Sequence, residues 1–155
     1  MTDLGTDLLV VPGFAAHDTE SLDLRSAVRP ARARGALSAG ASEAIDADTV
    51  SGRENLAQAL LLRLLTPRGS LAALGHAAYG SRLHELVGER KTPALRNLCR
   101  AFVLEAVAQE PRVEDKAVSL DFDLAEETSS TFVFTLAVSP RGGGDPVDLG
   151  LEVTV

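Results

Sequence analysis

Residues 51–113 read SGRENLAQALLLRLLTPRGSLAALGHAAYGSRLHELVGERKTPALRNLCRAFVLEAVAQEPRV, and their pattern sets the fold class. Ser51 and Glu54 have the Ser-x-x-Glu spacing of a capping box, in which each side chain satisfies the other's backbone amide. Leu56, Leu60 and Leu64 then recur at helical spacing, flanked by Ala57, Leu61 and Leu65, until Pro67 stops the helix. The wide apolar arc predicts burial on more than one side. Gly69, Gly75 and Gly80 punctuate the next segment, and Ser81–Val87 reads as a short helix closed by Gly88. Thr92-Pro93 places a cap residue before a proline at the first helical position. From there Leu95, Leu98, Cys99, Phe102, Val103, Ala106 and Val107 fall on one face, with Leu104 opposite.

Beyond Pro111 the period changes from helical to alternating. Val118, Leu120, Phe122 and Leu124 alternate with polar residues, as do Phe132, Phe134, Leu136 and Val138, and then Leu149, Leu151, Val153 and Val155. Gly142-Gly143-Gly144-Asp145 supplies the last loop. Two to three helices followed by an antiparallel sheet of about three to four strands is an α+β pattern. Residues 1–50 differ in composition and read as an extended N-terminal arm ahead of a domain at 51–155. Leu8–Val11 is a candidate strand stopped by Pro12-Gly13. Residues 25–42 are rich in Ala, Gly, Ser and Arg. They suit a flexible arm, or one ordered by an acidic partner facing Arg25, Arg29, Arg32 and Arg34.

The bulk numbers narrow the function. A chain of 155 residues fits one domain. Its net charge of −7 argues against a sequence-independent nucleic-acid binder. The single cysteine, Cys99, excludes an internal disulfide and lies on an apolar helix face, as inert core. The acidic start lacks the features of a signal peptide, and the longest apolar runs are too short for a bilayer. The expectation is a chain cytoplasmic at synthesis, with no membrane insertion.

No catalytic, cofactor-binding or metal set is expected. His17, His76 and His84 are scattered, and His84-Glu85 lacks the second histidine of a zinc helix. A glycosidase needs only two carboxylates. Asp121 and Asp123 share the outward face of a strand pattern and Glu126-Glu127 falls in a turn, all expected to be solvated. Glu110-Pro111-Arg112 is different. Projection at about 100° per residue sets Glu110 inside the apolar arc, at a helix C-terminus where the macrodipole disfavours a carboxylate. Either Glu110 is solvated at a proline-terminated end, or it is a structural ion pair, bidentate to Arg112 or to another subunit's arginine. The final strand, Leu149–Val155, leaves a potential sheet edge for another chain.

The ordered set Ser51–Leu60, Leu65-Thr66-Pro67-Arg68-Gly69, Tyr79-Gly80-Ser81-Arg82-Leu83 and Glu110-Pro111-Arg112 resembles the baseplate wedge family of contractile tails. That family takes in gene product twenty-five of T-even phages and protein W of others, and the Leu-Gly-His and Leu-His-Glu-Leu-Val-Gly wording looks closest to its contractile injection system branch. The resemblance implies a small non-enzymatic α+β protein without cofactors. It implies a subunit that joins wedge proteins around the inner tube or tube-initiator proteins and initiates the contractile sheath, in six copies. Glu110, Pro111 and Arg112 would then form the wedge-core contact. Tyr79, Gly80 and Arg82 would contribute a loop contact, and Leu149, Leu151, Val153 and Val155 a strand exchanged with sheath protein. Ala77-Ala78 departs from the Pro-Asp-like pair expected before Tyr79. Relatives have at times been labelled lysozymes, so a peptidoglycan hydrolase is the first alternative. A stand-alone α+β adaptor is the second.

Overall fold

In the computed structural model residues 4–10, 26–30, 43–47 and 49–155 are described. Among these described residues, seven strands and two α-helices run in the order β1 (Thr6–Leu8), β2 (Ser26–Pro30), β3 (Glu43–Ala47), β4 (Thr49–Ser51), α1 (Gly52–Leu65), α2 (Pro93–Ala108), β5 (Val113–Phe122), β6 (Thr131–Pro140) and β7 (Val147–Thr154). Short 3₁₀ turns at Ala72–Leu74 and Leu83–Leu86 lie between the helices. The class is α+β, with a C-terminal antiparallel sheet ordered β5-β6-β7 and two antiparallel pairs, β1-β4 and β2-β3. Arg25, Arg32 and Arg34 lie outside the described residues, as does Val11 at the end of the expected first strand. That strand is Thr6–Leu8, set earlier because its partner β4 fixes the register at Thr6 opposite Ser51.

That pairing also explains why the expected capping box is not made. Ser51 is extended at the N-cap of α1, but its side chain caps nothing. The residue is held as a strand partner, and Gly52, at φ +62°, turns the chain into the helix and donates its amide to the Gly5 carbonyl at 3.2 Å. Thr92 by contrast caps α2, its hydroxyl accepting from the Leu95 amide at 3.1 Å.

Buried residues of both helices pack on one face of the sheet, with Leu56, Leu60, Cys99 and Val103 meeting Phe132, Phe134 and Leu136. Burying this apolar surface is the main favourable term in folding. Leu104 points away from it as expected, but Leu98 also stands on the exposed side, 43% accessible, because the buried stripe of α2 runs through Leu95, Cys99 and Phe102 instead. Leu65 is exposed at the end of α1, and Leu124 lies in the turn after β5 ends at Phe122, outside the alternation expected for it. The expected Ser81–Val87 helix is the shorter 3₁₀ turn Leu83–Leu86, followed by Gly88 at φ +84°.

Candidate functional site: the helix-to-strand corner

Glu110 follows the last turn of α2, where its amide donates to the Val107 carbonyl at 2.9 Å. The residue is only 5% exposed, so its charge requires partners within the protein. Arg112 supplies one: its Nε donates to Glu110 Oε1 at 2.6 Å. The fork expected between them is absent. The other branch of Arg112, Nη1, donates instead to the Leu4 carbonyl at 3.0 Å. Pro111 makes this possible by ending the helix so that residues 110 and 112 turn back toward each other, and the Val113 amide closes the turn on the Glu110 carbonyl at 3.1 Å.

The second cation comes from α1 of the same chain. Arg63 Nη2 lies 3.6 Å from Glu110 Oε2, and its side chain is 11% exposed. Its guanidinium stacks on the Tyr79 ring at 4.5 Å, and Nη1 donates to the Gln109 side chain at 3.4 Å. Burial alone would push the Glu110 carboxyl up, but the Arg112 hydrogen bond and the two positive charges outweigh it and hold the group below its ordinary range. Burial likewise raises the Tyr79 phenol, with Glu110 adding to that rise and the arginines opposing it. Arg63 was not among the residues expected here. Its one signal in the sequence is a lone charge inside the leucine run 60–65.

The N-terminal segment is tied to the same corner. Buried Asn55 donates to the Leu4 carbonyl at 3.0 Å, and buried Gln58 donates to the Leu8 carbonyl at 2.8 Å while accepting from the Val10 amide at 2.9 Å. Leu4 therefore receives side chains from both Asn55 and Arg112, linking β1, α1 and the corner.

Tyr79 and Gly80 belong to a closed loop whose neck is the parallel bridge of Pro67 with Ser81. Arg68 donates its amide to the Ser81 carbonyl and Ser81 to that of Thr66, both at 2.8 Å. Gly80 is required at this neck. Its φ is +107°, and a Cβ there would lie 2.4 Å from the Thr66 carbonyl oxygen. Arg82 is placed apart from the corner: it forks onto Glu85 at 2.8 Å through both Nε and Nη2 and covers the Phe102 ring at 4.3 Å.

Leu149 is buried and Leu151 and Val153 are partly so on the core face of β7, with Val155, just past its end, also packed against the core. The Val155 amide bonds the Ser130 carbonyl, and the antiparallel register alternates from there. Residues 147, 149, 151 and 153 therefore turn their backbone groups to β6, whereas Asp148, Gly150, Glu152 and Thr154 turn theirs to the open side. Among the described residues no strand pairs with that side.

The acids expected to be solvated divide. Asp121 is exposed on β5, but Asp123 lies past its end and holds the turn, accepting from the Ala125 amide at 3.0 Å. Glu127 is not solvated. Its side chain is 4% exposed and pairs with Arg96 at 2.5 Å and Lys91 at 2.8 Å. Its burial opposes ionisation, yet the hydrogen bonds from Arg96 and Lys91 hold its carboxyl below the ordinary range. Nothing local marks it out, since the two cations lie across the core on and before α2. Cys99 is fully buried, and desolvation pushes its thiol up to about 11, leaving little nucleophilic thiolate near neutrality. Among the described residues no group of three or more His, Cys, Asp or Glu side chains could hold a metal, and no helix is long and apolar enough to cross a membrane.

No family model matches this chain, and no curated protein matches it. Among solved structures its fold is similar to that of a protein from Geobacter sulfurreducens named, provisionally, as a tail lysozyme, with a TM-score of 0.55 at 20% identity. The likeness covers 66% of this chain and 89% of that one, and establishes a shared fold.

Proposed function

We propose that this chain is a structural baseplate subunit of a contractile tail or injection system, joining wedge proteins around the tube and initiating the sheath. The observation that carries the reading is the corner itself. Glu110-Pro111-Arg112, the most recognisable element of the ordered motif set, sets a buried carboxylate in an ion-paired joint that ties both helices and the N-terminal segment together at the start of β5. The fold shared with a tail protein supports the same reading. In this proposal the Tyr79-Gly80 loop and the rigid corner present a surface to wedge proteins. The open side of β7 takes a strand from the first sheath ring, since backbone ladder bonds supply affinity without requiring a deep pocket. Six copies around the tube match the symmetry of such particles.

The test is deletion of Leu149–Val155 in the organism that makes this chain, with particles examined for baseplate and sheath. Baseplates are expected to form without polymerised sheath. Normal sheaths from a folded truncation would remove the strand-exchange role.

A second reading rests on the name of the structural neighbour, a lysozyme. A glycosidase acid needs a pKa raised toward neutrality, whereas Glu110 and Glu127 are both held ionised by neighbouring cations. Peptidoglycan turnover abolished by replacing one carboxylate would establish the enzyme reading over the structural one.

A further inference from the structure

The C-terminal sheet has two edges, and they are not equivalent. The Asp123 amide bonds the Val133 carbonyl at 2.8 Å, so the register places Ser119 and Asp121 with their backbone groups toward β6. Val118, Leu120 and Phe122 consequently turn theirs outward, to an edge with no partner strand among the described residues. Such an edge is a template for unwanted pairing. On this one, Arg100 of α2 reaches across and donates Nη1 to the Leu120 carbonyl at 2.7 Å, its guanidinium 5.3 Å from the centre of the Phe122 ring. The outward carbonyl at the middle of the regular stretch is therefore already occupied. The stretch is also short, because the register is broken between Val113 and Val118.

We propose that Arg100 is an edge guard, a positioning residue that closes β5 to strand addition. The aberrant partner it excludes is a second copy of this chain. Two β5 edges can meet antiparallel about a twofold axis, a self-complementary contact open to any homogeneous protein at high concentration. The opposite edge is protected in another way. Asp148 and Glu152, whose side chains are exposed on β7, would face each other in a self-pairing and repel, while leaving the edge accessible to a strand without acids at the facing positions. The β5 claim stands on the sheet geometry alone. Only its consequence, that β7 is the edge left for a foreign strand, rests on the baseplate reading.

The test uses the full chain with Arg100→Met, which keeps the aliphatic cover on the ring without a donor, and Arg100→Lys, which restores a cationic donor. Sedimentation velocity over a concentration series is paired with amide hydrogen exchange. The expected result is self-association strengthened about tenfold or more in Arg100→Met over wild type. Concentration-dependent protection should appear at the Val118, Leu120 and Phe122 amides, and Arg100→Lys should return toward wild type. A folded Arg100→Met chain that sediments as wild type would overturn the proposal, as would protection that arises on β7 instead. Should Arg100→Met fail to fold, Arg100→Leu, which also lacks a donor, takes its place with the same readings. Self-association and β5 protection as expected in Arg100→Met, together with normal sheaths from a folded Leu149–Val155 deletion, would count against the baseplate reading and not against the guard.

Discussion

Replacing Glu110 tests whether the corner is a joint held by charge. Glu110→Ala removes the acceptor of the 2.6 Å Arg112 bond and leaves Arg63, 3.6 Å away, facing a second cation with nothing between them. Breaking a buried pair by deleting one partner costs about 3–5 kcal/mol. The lower end applies here, because the Arg112 side chain is 26% exposed and Arg63 keeps its bond to Gln109. The expected loss is about 3 kcal/mol, read as a lower denaturation midpoint with an unchanged slope, or a fall in Tm of about 6–12 °C for a chain of this size. Glu110→Gln, which can still accept from Arg112, should lose about half as much. The pH dependence has a definite sign. The folded-state carboxyl is held below its ordinary value of 4.5, so the unfolded chain binds more protons in that range and the contribution is present above it. It is lost as pH falls below about 4.5 toward the folded pKa, so the gap between wild type and Glu110→Gln should narrow there while remaining constant from about pH 6 to 8. A loss under about 1 kcal/mol for Glu110→Ala, or a gap that does not narrow in acid, would mean that charge does not hold the corner.

The geometry sets three further expected outcomes. Gly80→Ala must relieve a Cβ contact with the Thr66 carbonyl and a positive φ, and should cost about 2–4 kcal/mol by denaturant titration. Ser51→Ala should change stability by less than about 0.5 kcal/mol, since its side chain caps nothing, whereas Thr92→Ala should lose about 1 kcal/mol. Glu127→Gln removes the charge shared by Arg96 and Lys91 and should cost about 2 kcal/mol at neutral pH. That difference should also shrink in acid, because the Glu127 carboxyl is likewise held low.

Much of the architecture was legible because its causes are local. Thr92-Pro93 starts α2 since a hydroxyl three residues before an amide and a preset φ act within one turn. The switch from helical to alternating spacing at Pro111 locates the sheet because side-chain period depends on backbone geometry alone. Where a local rule competed with a distant partner, the partner prevailed. Ser51 satisfies a capping pattern yet is held against Thr6 in a strand pair. Leu98 fits the apolar arc of α2, but the sheet meets the helix along Cys99 and Phe102.

The sequence alone singled out Glu110 as a carboxylate in the wrong place, because helical projection and the dipole depend only on its own segment. Its compensation was decided by tertiary structure. Arg63 belongs to a different helix, and the Leu4 carbonyl that takes the other branch of Arg112 is 108 residues away along the chain. Glu127 shows the same division from the other side, an acid with ordinary turn surroundings that packing buries between cations from α2 and its approach. A charge's need for a partner is a property of its segment, but the partner's identity depends on which surfaces the core brings together. Periodicity specifies the faces that meet, and only the folded chain specifies which polar groups are trapped where they meet.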